Sequence, residues 1–241
     1  MTKILVTGGA AGLGEAITRV CAASSDNQVY FTYHSSIENA ARLEAEYLNV
    51  KSIACDFTSV LDVDNLKEQL IKFDIDVLVN NAYTGAFIKT YFHKTEPFEF
   101  LGEFKANILP TIAVTQAAIQ CFRKKKHGKI ITILTSALID APPLGAGVYV
   151  ANKAYLAALS KVWATENSKF NIVANTISPA FMLTAFTSGV DERLVEQMRD
   201  AHPLKQLLTT FEVAEVVSFL CKASPQINGI DIPVNSALSM R

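Results

Sequence analysis

Tyr149 and Lys153 stand four residues apart in a Tyr-x-x-x-Lys pattern, thirteen residues after Ser136. Residues at i and i+4 share one face of a helix, so a helix here would present phenol and ammonium together. A phenol of pKa ~10 is a poor proton-transfer group at neutral pH, and a neighbouring ammonium helps by favouring the phenolate. Ser136 can hydrogen-bond a substrate carbonyl oxygen, with Thr135 as a fallback for that role. A lone Tyr-x-x-x-Lys arises by chance on many helix surfaces, so its weight depends on what accompanies it.

It is accompanied by Thr7-Gly8-Gly9-Ala10-Ala11-Gly12-Leu13-Gly14, directly after a β-branched run. A side chain at Gly8 would obstruct a tight turn, one at Gly12 would block a pyrophosphate, and one at Gly14 would push the following helix off the sheet. Ala11 and Leu13 complete that turn, and the helix start offers free N–H groups to phosphates. Acid/base chemistry beside a dinucleotide site means hydride transfer. The end of the second strand reads Phe31-Thr32-Tyr33-His34-Ser35-Ser36, with no carboxylate before Glu38. An acidic residue there would bind the ribose 2′-OH and repel a 2′-phosphate, so NADP(H) is favoured and NAD(H) is not excluded. His34, Ser35 and Ser36 can donate hydrogen bonds to the phosphate; the plainer reading of His34 is a solvated loop residue.

The elements that must position these groups alternate between short apolar strands and helical segments, the pattern of βαβ units. Strands are expected at Lys3 to Val6, Gln28 to Tyr33, Lys51 to Cys55, Val77 to Val79, Lys129 to Leu134, Ile172 to Thr176 and Ile230 to Val234. Helices are expected at Gly14 to Ala23, Ile37 to Tyr47, Val63 to Ile71, Glu99 to Phe122, Val148 to Ser168 and Thr210 to Cys221. The fold class is α/β: a Rossmann-type, doubly wound, seven-stranded and mostly parallel sheet in one domain spanning 1–241. Ser178 to about Pro203 reads as irregular, a substrate lid around 180–205 over the carboxyl edge of the sheet, where ligands bind in such folds.

Composition narrows the function. The chain has 241 residues, half of them apolar, and 22 basic against 23 acidic residues give a net charge of −1, so no global field favours nucleic acid. No apolar run approaches a membrane span, the apolar stretch before Gly8 is too short for a signal peptide, and no metal-ligand cluster is read. Cys21, Cys55, Cys121 and Cys221 are widely spaced and read as buried thiols in a reducing, cytoplasmic compartment.

With these motifs in this order, the chain resembles the short-chain dehydrogenase/reductase family over essentially its whole length. The resemblance implies that Asp56, with Phe57 beside it, contacts the adenine, and that Asn80-Asn81-Ala82 shapes the cofactor pocket. It also implies that Asn107 holds a proton-relay water, completing a tetrad of Asn107, Ser136, Tyr149 and Lys153. Lys153 would bind the nicotinamide ribose, and Ser178-Pro179 with Thr184 would touch the carboxamide. Three departures stand out: Tyr83 replaces the glycine of Asn-Asn-Ala-Gly, Ala180 follows Pro179 in place of glycine, and Asn235-Ser236 replaces a Gly-Gly.

Within the family, the segment Arg123 to Gly128 and the Asn-Ser-Ala-Leu-Ser-Met ending look most like 3-oxoacyl-acyl-carrier-protein reductases. Arg123 and Lys126 would then dock an acidic acyl carrier protein, the plain alternative being a solvated helix end. Tyr83, Phe181 and Met182 are the expected substrate contacts. The rivals are an alcohol or sugar dehydrogenase of the same family and a non-catalytic NADP(H)-sensing protein. Family members often assemble as dimers or tetramers through their long helices. Here the small face Ala151, Ala154, Ala157 and Ala158 would suit that, or packing within one subunit.

Overall fold

The computed structural model describes residues 1–85, 89–139 and 141–238; Ser239 and Met240 of the carboxyl-terminal motif lie outside them. Seven strands form one sheet: β1 (Thr2–Val6), β2 (Asn27–Tyr33), β3 (Val50–Ala54), β4 (Val77–Asn80), β5 (Gly128–Ile133), β6 (Ile172–Pro179) and β7 (Asp231–Val234). Their order is β3-β2-β1-β4-β5-β6-β7, and every pairing is parallel. The connecting helices are α1 (Gly12–Ala22), α2 (Ile37–Glu46), α3 (Val60–Phe73), α4 (Pro97–Glu103), α5 (Leu109–Lys125), α6 (Gly147–Asn167), α7 (Glu192–Ala201) and α8 (Thr210–Lys222).

Alternation along the strands splits the core into two layers. Leu5, Leu78 and Ile130 point one way, packing with Leu66 of α3, Val114 and Phe122 of α5, and Leu156 and Trp163 of α6. Ile4, Val6, Val77, Val79 and Ile131 point the other way, onto Ile17 of α1, Leu43 of α2, and Val213 and Val217 of α8. Strands covered on both faces must be apolar throughout, which is why they read as short continuous runs.

Two expectations change. The segment Glu99 to Phe122 is not one regular helix, because Phe104–Ile108 forms a π-helical turn between α4 and α5. Pro110 has no N–H for the Ala106 carbonyl, so the ladder widens and the Leu109 N–H bonds back to the Phe104 carbonyl instead. The stretch from Ser178 to Pro203 is not irregular throughout. β6 runs on to Pro179, and α7 starts where the Asp191 side chain caps the Arg193 N–H. Its sequence is short and mostly polar and buries only Val195. Lys129, in β5, is buried and sends its ammonium to the carbonyls of Cys221 at 2.8 Å and Ala223 at 2.6 Å. It satisfies the carboxyl end of α8 from inside the sheet.

Candidate active site

The crevice lies at the carboxyl edge of the sheet, where chain order reverses between β1 and β4. The glycine turn leaves β1 and enters α1 with Gly8 at φ 66° and Gly12 at φ 53°, a region that favours glycine. A Cβ on Gly14 would sit 1.9 Å from the Gly8 carbonyl oxygen. Ala11 gives α1 no side-chain cap, so the first-turn N–H groups remain available to an anion. Asn81, after β4, clamps the turn: its Nδ2 donates to the Thr7 carbonyl at 3.0 Å and the Gly8 carbonyl at 3.3 Å. The N–H groups of Asn81 and Ala82 both donate to the Thr7 hydroxyl at 3.0 Å. The uncapped helix start and the bare turn fit a dinucleotide pyrophosphate.

Beyond β2 and β3, His34 Nε2 lies 3.6 Å from Asp56 Oδ2. Asp56 also accepts from the Thr58 N–H and hydroxyl. These bonds, with His34 adding its charge, hold the Asp56 carboxyl below its ordinary range. Phe57 is buried beneath this corner. Ser35 is exposed at the end of β2. On the far side of the crevice, Pro179 ends β6 and Thr184 stands over the glycine turn, its Cβ 3.5 Å from where a Gly12 side chain would begin.

Tyr149 and Lys153 lie one turn apart near the start of α6. Lys153 is buried and donates to the Ile133 carbonyl at 2.8 Å. Burial lowers its pKa to about 8. Thr135 ends the loop after β5 and favours the Tyr149 phenolate, but burial outweighs it and raises that phenol to about 12. The expected lowering of Tyr149 by Lys153 is therefore not found: the Lys153 amine turns to Ile133 and lies 5.8 Å from the Tyr149 ring centre, and desolvation raises the phenol. Ser136 is half-buried and opens the adjoining 3-10 turn.

Asn107 sits in the π turn and is buried. Its Oδ1 accepts from the Thr84 N–H at 2.6 Å and the Thr84 hydroxyl at 3.1 Å, and its Nδ2 donates to Glu103 at 2.9 Å. Tyr83 enters the heart of the site. Its ring centre lies 5.2 Å from that of Tyr149 and 5.1 Å from the Lys153 amine.

The expected substrate contacts divide. Met182 packs against the core under α1 and α8, and Phe181 is half-buried beside it. The lid residue that reaches the site is Phe186, 5.6 Å from both Tyr83 and Tyr149. Phe186 sits in a single 3-10 turn, Ala185–Thr187, too short for its sequence to hint which aromatic of the segment turns inward. Arg123 and Lys126 lie at the opposite end of the molecule, before the first residue of β5, whereas Ser136 follows its last. Six residues of strand separate them, about 20 Å. Arg123 is also engaged by Asn167 at 2.7 Å and lies over Phe170.

Comparison with known proteins agrees with this geometry. The profile of a family described as Enoyl-(Acyl carrier protein) reductase matches residues 8–238. The chain is 28% identical to Nodulation protein G of Rhizobium sp. (strain N33), covering 99% of this chain and 97% of that protein. It is 30% identical to the 3-oxoacyl-[acyl-carrier-protein] reductase MabA of Mycobacterium tuberculosis H37Rv, covering 99% and 93%. The fold superposes on a 3-ketoacyl-(acyl-carrier-protein) reductase of Brucella melitensis complexed with NADH, with TM-score 0.88 at 24% identity over 99% and 98% of the two chains. A Rossmann sheet, a glycine turn at its switch point and a Tyr-Lys pair facing that turn are thus found in a chain that belongs to the short-chain dehydrogenase/reductase family of oxidoreductases.

Proposed function

We propose that the protein reduces a ketone to a secondary alcohol with NADPH, and that the ketone is a 3-oxoacyl thioester borne by acyl carrier protein. The convergence of Tyr149, Lys153 and the Thr135-Ser136 pair beside the glycine turn carries the reading. Gly8, Gly12, Gly14, Asn81, Ala82, Pro179 and Thr184 line the dinucleotide site, and a bound reduced nicotinamide supplies the hydride. Ser136 hydrogen-bonds the carbonyl oxygen, and the neutral Tyr149 phenol gives that oxygen its proton as charge develops. Lys153 then restores the proton to Tyr149, with Asn107 at the far side of the relay. The relatives named as carrier-protein reductases support the substrate class, as does the apolar segment after Pro179. The remote position of Arg123 and Lys126 speaks against those two as the carrier's docking point on the same chain. The absence of a carboxylate at Tyr33 to Ser36 supports NADPH. Ala151, Ala154 and Ala158 are exposed on α6, which supports contact with a second copy there. Among the described residues no helix is long and apolar enough to cross a membrane, and the four cysteines are free and buried, which supports a cytoplasmic enzyme in one domain.

A second reading has a specific observation behind it. Tyr83 and Phe186 crowd Tyr149, which suits a small free ketone or alcohol better than a wide acyl chain. Loss of reduced-nicotinamide absorbance, followed with a 3-oxoacyl thioester and with small cyclic ketones, separates the two. Turnover of the thioester with NADPH preferred over NADH by about tenfold or more is expected. Small ketones alone as substrates, or preference for NADH, overturns the corresponding part.

The pH dependence follows from Lys153. Reduction consumes a proton, and the relay holds one on Lys153 only below its lowered pKa of about 8. At saturating substrate, kcat for reduction should fall as pH rises through about 8, while alcohol oxidation should rise across the same interval. A reduction rate that stays flat from about pH 7 to about pH 9.5 would remove Lys153 from the relay.

A further inference from the structure

Glu103 has no part in the tetrad, yet its carboxylate is where the site's supporting groups meet. Its Oε2 accepts from Asn107 Nδ2 at 2.9 Å and from the Tyr83 hydroxyl at 3.3 Å. The Tyr83 hydroxyl in turn accepts from Asn152 Nδ2 at 3.4 Å, on the helix that carries Tyr149 and Lys153. The other end of the Asn107 amide holds Thr84, next to Tyr83. One half-buried oxygen thus ties the end of α4, the π turn and the loop after β4 together, and reaches α6 through Tyr83.

We propose that Glu103 is a positioning residue for the reaction, holding the Tyr83 ring against Tyr149 and Lys153 and the Asn107 amide in its present orientation. The glutamate lies four residues before the asparagine, so an α-helical turn would put them on one face. The π turn adds a residue's worth of backbone between α4 and α5, and the pair remains bonded across it. Tyr83 needs such a tether. Its ring stands against the catalytic pair, and a ring free to rotate would block the carbonyl position or leave Lys153 uncovered. A charged acceptor serves well because bonds to a carboxylate are stronger than neutral ones.

The inference rests on the hydride-transfer chemistry proposed above but not on its acyl substrate, so it is tested with any carbonyl the wild-type protein reduces. Glu103→Ala should lower kcat about tenfold with KM within about twofold, and Glu103→Gln, which keeps an acceptor oxygen, should recover most of the loss. Tyr83→Phe added to Glu103→Ala should cost less than the two single losses combined, since both cut the bond between Glu103 and Tyr83. A second readout needs no turnover. Burial chiefly, and the Glu103 charge with it, push the Tyr83 phenol up. In Glu103→Gln its phenolate should therefore appear at lower pH, read as the absorbance difference between that variant and Glu103→Gln/Tyr83→Phe. An unchanged titration, a Glu103→Ala kcat within about twofold of wild type, or additive losses would overturn the proposal. If Glu103→Ala does not fold, Glu103→Gln and the titration decide. Failure of the thioester assay with the titration shift present would count against the substrate alone.

Discussion

Phenylalanine in place of Tyr149 should lower kcat for carbonyl reduction by about a thousandfold, while NADPH binding stays within about twofold of wild type. The ring keeps its place, because its contacts with Tyr83 and Phe186 involve ring faces and edges rather than the hydroxyl. What is lost is the proton donor. A phenol raised to about 12 by burial is fully protonated at neutral pH, which is the form reduction needs. Carbonyl oxygen gains basicity only as hydride arrives, so an acid that holds its proton until then protonates the transition state and not the ground state. Single-turnover oxidation of bound NADPH measures the step directly. A residual rate within about tenfold of wild type would mean that Thr135 or solvent supplies the proton.

Alanine in place of Gly14 should act on the other half of the site, costing about 3 kcal/mol of stability, or roughly 6–12 °C in Tm for a chain of this size. It should also weaken NADPH binding by more than about thirtyfold. The added Cβ would lie 1.9 Å from the Gly8 carbonyl oxygen and 2.7 Å from Asn81 Nδ2. Neither neighbour can retreat: Gly8 is fixed at φ 66°, and Asn81 is already bonded to Thr7 and Gly8. Helix α1 must shift, taking with it the N–H groups that would meet the pyrophosphate. Gly102→Ala is the control, since among the described residues a Cβ there meets nothing within 4 Å and alanine favours a helix over glycine by about 1 kcal/mol. Thermal unfolding and NADPH titration of both variants check the argument. Wild-type affinity in Gly14→Ala would show that the close packing of turn and helix is dispensable for binding.

How much of this was legible in the sequence depends on whether the controlling interactions are local. The strands could be read because burial on both faces leaves them apolar, and the glycine turn because its backbone angles exclude side chains. The placement of Tyr149 and Lys153 on one face of α6 needs only helical spacing. The π turn is a partial case: Pro110 is visible, but its missing N–H could as well have marked a helix start. Phe186, Glu103 and Asn152 were missed because their meeting with Tyr83 depends on segments from three parts of the chain. The Glu103 spacing four residues before Asn107 was the one local clue. Lys129 gave no clue, since its partners lie about ninety residues on, and the direction of the Tyr149 shift depends on a burial that no motif encodes.

The all-parallel sheet bears on how the chain comes off the ribosome. Strands β1, β2 and β3 can assemble outward in the order they emerge, but the other side of β1 stays an open edge until β4 arrives, as the Thr7-to-Val79 bond across 72 residues makes plain. Every later strand likewise joins through a crossover and not a hairpin. Such non-local pairing slows folding, and open edges invite pairing with other chains. A nascent chain stalled between Tyr33 and Val77 would therefore present half a sheet with the glycine turn at its unprotected rim, and chaperone dependence should be greatest over that interval of synthesis.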